Sequence, residues 1–460
     1  MKERGVNYRS VATLGVAIVL ALLGGAPASA ADAPPAEWTV LVFMNAKNNL
    51  EPDAVTNFAQ MAKVGSTDKL NLVVELGRPN HPYRDGGTPQ GWSGVRRFKV
   101  NLNDQIDRAP EKDLGDTGPI TDMGDPRSLV DFLNWGFDNY KAKHYLLVIW
   151  NHGQGWRFQM ANSRALRLSA TNRSQPVFAL INANAAKLPP VTGGFRSVSS
   201  DEDTGHILYN RQIQDSLLKL RNQGKKLDII AFDACLMGML ETAYALRDVA
   251  TYMVASEELD PGEGFQYKTW LDPLKSQPTM MPSDLATELV TAFQSTYQDN
   301  GQQTTLSSVS LGLVPAAAQA LGKFSDALTA KLDSQRATLA SARRKMFAFG
   351  SWYGVKGNGS IDLQTFLSQF ASLTADPALK ALAINAQKAV QATITRNYAS
   401  EEEKRYTATG LAFYMPPTAA DFMADPDSSG YLKSNTLHPV QFVQDYNWAT
   451  VVAQYLHVGP

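Results

Sequence analysis

The 460-residue chain predicts an α/β protein: a mostly parallel sheet flanked by helices, with an additional helical part toward the C-terminus. Three observations predict it. Short uninterrupted apolar runs (Trp38 to Met44, Leu70 to Leu76, Tyr145 to Trp150, Ile229 to Phe232) have the length and composition of strands buried on both faces. Helix-period segments alternate with these runs, as crossover connections in a parallel sheet require. Chemically capable residues also stand just past the ends of two runs, His152 and Cys235, at the sheet edge where open α/β folds hold their sites.

Taken in order, residues 1–30 read as an export signal. Lys2, Arg4 and Arg9 precede an apolar stretch from Val11 to Leu23, and Ala28-Ser29-Ala30 supplies the small residues of a cleavage site. That apolar stretch is shorter than the ~20 residues of a spanning helix, so no stable membrane insertion is expected once the signal is removed. Residues 31–270 are expected to hold the main α/β core. The first strand leads into a helix around Asp53 to Met61, and the second into a Pro- and Gly-rich loop from Arg78 to Gly94. Val95 to Val100 reads as a strand or hairpin arm, and Asp107 to Asp125 as turns. Pro126 to Tyr140 carries helical apolar spacing, with the proline near its first turn. Residues 153–200 form a long irregular segment of the kind that is usually functional or protease-sensitive. Leu208 to Leu220 is helical and feeds the cysteine strand. Residues 271–460 are expected to complete the sheet and add a helical subdomain. Their helices are Met281 to Asp299, Ala316 to Phe347 and Pro377 to Tyr398, the strands Ser307 to Val314 and Leu411 to Tyr414, and Val440 to Leu456 closes the chain.

Composition excludes several classes. With 44% hydrophobic and 19% charged residues the chain is globular rather than fibrous or disordered. Forty-three basic residues against 44 acidic ones give no electrostatic reason to expect nucleic acid or an anionic membrane as partner. The single cysteine is unusual for an exported protein, where thiols mostly occur in disulfide pairs. Cys235 is then either a small buried hydrophobe or a nucleophile. It follows a buried strand, and Met237-Gly238-Met239 reads as the start of a helix, which would favour the thiolate. His152 is either a structural cap or the matching acid-base group. If the two strands are neighbours, imidazole and thiol emerge side by side. A peptidase needs that pair, a thiolate to attack the scissile carbonyl and an imidazole to protonate the departing amine. The backbone N–H groups of Gly153 and Cys235 are candidate donors to the tetrahedral oxyanion.

The order strand-His-Gly, then strand-Asp-Ala-Cys, resembles the caspase-like cysteine peptidases, and the surrounding blocks resemble the clostripain family. The blocks are WNHGQGW at Trp150 to Trp156, FDACLMGMLETAYAL at Phe232 to Leu246 and YMVASEELDPGEGFQY at Tyr252 to Tyr267. Weaker likenesses lie in WTVLVFMNAKNNLE, GDPRSLVDFLNW, IDLQTF and GLAFYMP. The resemblance implies a caspase-like fold and a Cys235/His152 dyad with no obligatory third acid. It implies a protein or peptide substrate cut after Arg, or sometimes Lys, with Asp233 and Glu263 as substrate-binding acids. Asp233 could instead cap the following helix, and Glu263 could be a solvated loop charge. It further implies self-cleavage at a basic residue between His152 and Cys235, where Arg164, Arg167, Arg173, Lys187 and Arg196 are available. No cofactor is required on this reading. Calcium is an optional activator in some relatives, and Asp201, Glu202 and Asp203 are the hard oxygen ligands available to it if they are not simply a solvated turn.

Rival chemistries lack their motifs. There is no Gly-x-Ser-x-Gly elbow and no His-Glu-x-x-His. The remaining alternative is a catalytically inactive, exported peptide-binding protein on the same fold. The Asn45-Ala46-Lys47 stretch and the long segment after His152 motivate it.

Overall fold

The computed structural model describes Met1 and residues 34–81, 91–157, 198–350, 359–425, 427–434 and 439–458. The proposed export signal and every candidate cleavage bond from Arg164 to Arg196 lie outside the described residues. The described strands are β1 (Ala36–Asn45), β2 (Leu70–Arg78), β3 (Gly94–Lys99), β4 (Lys112–Gly115), β5 (Ala142–Trp150), β6 (Val198–Ser200), β7 (Ile207–Leu208), β8 (Ile229–Asp233), β9 (Tyr252–Ala255), β10 (Thr305–Ser310), β11 (Ser360–Asp362), β12 (Ile394–Ala399) and β13 (Ala412–Tyr414). Nine of them form one sheet in the order β12-β10-β9-β8-β5-β1-β2-β3-β4. The five central strands, β9 to β2, run parallel. The outer pairs on both sides are antiparallel.

Alternation along each central strand explains why both faces are covered. Trp38, Val40, Val42 and Met44 of β1 join one core cluster, together with Leu146 and Val148 of β5 and Ile229 and Ala231 of β8. Leu41, Phe43, Leu147, Ile149, Ile230 and Phe232 point to the other. The period of two is masked in the sequence because both sets are apolar. The first face is covered by helices Glu51–Val64, Tyr267–Ser276 and Pro282–Tyr297, the second by Pro126–Asn139, Asn210–Asn222 and Leu240–Leu246. Helix Pro126–Asn139 starts where expected because Asp125 caps it, its carboxylate accepting from the Arg127 N–H, and Pro126 has no N–H to lose.

Two expectations about elements change. The segment expected to be helical through Tyr398 stops at Gln391, and Ile394–Ala399 becomes β12, paired with β10 at the sheet edge. Its Ile-Thr pair is β-branched and suits an extended chain. The long helix from Ala316 breaks into Val314–Ala330 and Leu332–Arg344. The helices after residue 310 share the second-face core with the sheet, and residues 35–460 make one compact unit.

Candidate active site

The sheet reverses its winding between β1 and β5, because β2 lies on one side of β1 and β5, β8 and β9 lie on the other. At such a point the loops leaving the strand ends part and leave a crevice. β5 and β8 pair in parallel with Trp150 opposite Asp233. His152 and Cys235 each stand two residues beyond that pair, so the register itself brings them to equivalent places. A cleft of about 20 Å³ lies there, lined by His152, Asp233, Cys235 and Asp260 together with Leu50, Trp150, Pro261, Gly262 and Gly264. That volume accommodates about one water.

Gly153 joins the two loops at close range. A Cβ built on it would lie 2.3 Å from the Cys235 carbonyl oxygen and 3.0 Å from its nitrogen, so only glycine permits this approach. Among the described residues neither the Gly153 nor the Cys235 N–H donates to a backbone carbonyl. Leu236, next to the cysteine, has φ of 61°, and Gln266 and Ser199 near the same crevice have φ of 49° and 58°. Non-glycine residues held there cost about 1–3 kcal/mol each, a strain that collects where geometry is imposed for function.

The cysteine's surroundings differ from the sequence expectation. The helix begins at Leu240, while Leu236 and Gly238 instead donate to the carbonyls of Glu258 and Ser256, so no helix N-terminus faces the sulfur. Burial raises the Cys235 thiol well above its ordinary range, and the neighbouring Asp260 and Glu258 carboxyls add to this. The Asp260 N–H, 3.3 Å from Sγ, acts the other way. Burial thus disfavours the thiolate in this environment. His152 is buried, and its Nε2 lies 2.9 Å from Asn49 Oδ1.

Asp233 forms the inner wall of the cleft. Burial raises its carboxyl to about 7 despite the Phe265 N–H at 3.3 Å and the adjacent Tyr267 hydroxyl. Gly264 closes over it, with the position of a Cβ only 2.6 Å from Asp233 Oδ1. The structure thus brings His152, Gly153, Asp233 and Cys235 together. Glu263 is not among the residues lining the cleft. Its carbonyl accepts from Asn57 Nδ2 and its charge acts on Tyr297. The acid that lines the cleft from that loop is Asp260, buried, with its carboxyl raised well above normal by burial and by Asp233. Sequence reasoning passed over Asp260. The Asp-Pro-Gly turn that aims it is visible in the sequence, but its direction is not.

Two of the acids nominated for calcium surround a buried ammonium. Asp201 accepts from the N–H groups of Met123, Asp203 and Thr204 at 3.0, 3.0 and 3.2 Å, and the buried Lys47 ammonium lies 3.3 Å from it. The same ammonium is 3.4 Å from Asp203, which also meets His81 at 2.6 Å. A lysine already supplies the positive charge, and no group of three or more potential ligands gathers elsewhere among the described residues.

The Peptidase C11 model, described as the clostripain family, matches residues 42–174 and 192–454. Clostripain from Hathewaya histolytica is 28% identical over 250 residues, covering 52% of this chain but only 42% of that protein's length. The inactive zymogen of a C11 protease from Parabacteroides distasonis has a TM-score of 0.53 at 16% identity, over 91% of this chain and 99% of that one. A secreted C11 cysteine protease from Bacteroides thetaiotaomicron, solved with an irreversible peptide inhibitor, has a TM-score of 0.54 at 16% identity, with 91% and 99% covered. These structural likenesses establish the shared fold.

Proposed function

Since the chain belongs to the clostripain family, we propose that it is an exported cysteine endopeptidase that cuts peptide bonds after Arg or Lys. The observation that carries the proposal is the registered placement of His152 and Cys235 beyond the Trp150–Asp233 pair, on one cleft with two buried carboxyls. In the reaction, the imidazole of His152 takes the thiol proton as Sγ attacks the scissile carbonyl carbon. The tetrahedral oxyanion is held by the N–H groups of Gly153 and Cys235. The C–N bond then breaks, the imidazolium gives its proton to the departing amine, and water hydrolyses the thioester. Asp233 and Asp260 would face the guanidinium or ammonium of the residue before the cut, with Glu263 as a more distant negative charge. A bound cation would draw the Asp233 carboxyl down from about 7 into its charged form. No cofactor is needed for these steps.

We assign maturation to self-cleavage after Arg164, Arg167, Arg173, Lys187 or Arg196, and export to residues 1–30. The narrow cleft and the raised thiol also favour a second reading, an inactive peptide-binding protein. Fluorogenic peptides ending in Arg, Lys, Asp or Leu, offered to the protein and to Cys235→Ala, separate the two. Cleavage after Arg or Lys that vanishes in the variant is the expected result. Cleavage after Asp or Leu would overturn the specificity, and no cleavage by protein already cut between residues 158 and 197 would favour the binding protein.

A further inference from the structure

We infer that Asn49 is a positioning residue for His152, supplying through a side chain the orientation that a two-residue dyad lacks. The inference rests on the assignment of His152 and Cys235 as the reacting pair. Asn49 Oδ1 lies 2.9 Å from His152 Nε2, within hydrogen-bond range and on the turn that leaves β1, the strand beside β5. The turn is held from several directions. Asn45 Oδ1 accepts from the Lys47 N–H and its Nδ2 donates to Ser199 Oγ at 2.9 Å. Asn48 Oδ1 accepts from the Leu50 N–H, and its Nδ2 donates to the Ser200 carbonyl at 3.1 Å. Asn151, the residue before the histidine, donates to the Asn45 carbonyl at 2.6 Å and to the Ser200 carbonyl at 3.3 Å. The two turns are therefore fixed to each other and to the same short strand, β6, and the distance between Asn49 and the imidazole is set by main-chain anchors.

The chemical consequence concerns the tautomer. An amide oxygen accepts and cannot donate, so it holds the proton on Nε2 and leaves the lone pair on Nδ1. The neutral imidazole then carries its basic lone pair on Nδ1, the nitrogen assigned to receive the thiol proton, and the imidazolium formed during attack keeps an acceptor at Nε2. An acidic partner is not required, which agrees with the amide found in this place.

The test uses the full chain labelled with 15N-histidine, the His152 signals being assigned by their loss in His152→Gln. The wild type is expected to show the Nε2–H tautomer, Asn49→Ala a mixture, and Asn49→Asp, which keeps an acceptor, the Nε2–H form again. In peptide hydrolysis Asn49→Ala should lower kcat about tenfold or more with KM within about twofold, and Asn49→Asp should recover part of the loss. An unfolding midpoint close to that of the wild type excludes a folding defect as the cause. An Nδ1–H tautomer in the wild type, or an unchanged tautomer and kcat in Asn49→Ala, would overturn the inference. The resonance arm reads out without turnover, so a protein that cleaves nothing would refute the peptidase assignment while still deciding the role of Asn49.

Discussion

At the scale of the residue, the site depends on side chains that are absent as much as on those present. Gly153→Ala places a methyl group 2.3 Å from the Cys235 carbonyl oxygen, and backbone on both sides cannot yield as a flexible side chain would. The variant is expected to lose about 1–3 kcal/mol in urea unfolding and to lower kcat more than tenfold, since an error near 1 Å at the reacting atoms is enough. An unperturbed kcat would show that the two loops are not held by this contact. His152, Gly153, Asp233 and Cys235 were legible in the sequence because strand ends and short motifs mark them. Asp260 and Asn49 were not, since each acts across a turn whose direction only the folded chain fixes. The acidity of the thiol was misjudged for a related reason. A helix start is visible in a sequence, but the carboxyls of Asp260 and Glu258 come from the adjoining β9 edge and are not.

At the scale of the element, the central strands were legible because burial on both faces makes them continuously apolar. β4, β6 and β7 are only two to four residues long and give no such signal, and β12 reads as helix because apolar spacing continues past the helix end. The turn after β5 shows how a later element fixes an earlier one. Arg157 is buried and pairs with Asp425, its Nε and Nη2 lying 3.1 and 2.8 Å from Oδ2, while the guanidinium also lies 5.4 Å from the Tyr414 ring centre. It ties the segment carrying His152 to the C-terminal part of the chain. Arg157→Ala leaves a buried carboxylate without its cation and is expected to cost about 3–5 kcal/mol in chemical unfolding. The double replacement Arg157→Met/Asp425→Leu should cost less. Equal losses for the two would mean that packing, not charge, provides the anchorage.

At the scale of the whole molecule, the fold encloses several carboxyls whose affinity for a proton is raised by burial. Burial raises Asp233 and Glu75 to about 7, and Glu257, Glu258 and Asp260 well above their ordinary range. Unfolding returns each to the range near 4, so the folded chain holds more protons than the unfolded one across that interval. Stability is then greatest at acid pH and falls as pH rises from about 4 to 7, at about 1.4 kcal/mol per pH unit for each group fully engaged. The carboxyls of Asp125, Glu37, Asp376 and Glu401, drawn down by Arg127, Lys143, Lys331 and Lys404, oppose this but are fewer. Urea midpoints measured from pH 4.5 to 8 are expected to decline, and Glu257→Gln should flatten the slope. A midpoint that rises over this interval would contradict the raised proton affinity of these acids. None of this was legible from composition, which counts 44 acids without saying which are enclosed.

The pairing of β5 with β8 also carries a consequence in time. During synthesis the histidine strand leaves the ribosome well before the cysteine strand, with 82 residues between the two side chains. Until β8 adds to β5, the nascent polypeptide holds a lone imidazole and then a lone thiol, with no oxyanion donors for either. On the reading given above, the growing chain cannot digest itself or its neighbours, and completing the sheet is the event that creates the hazard.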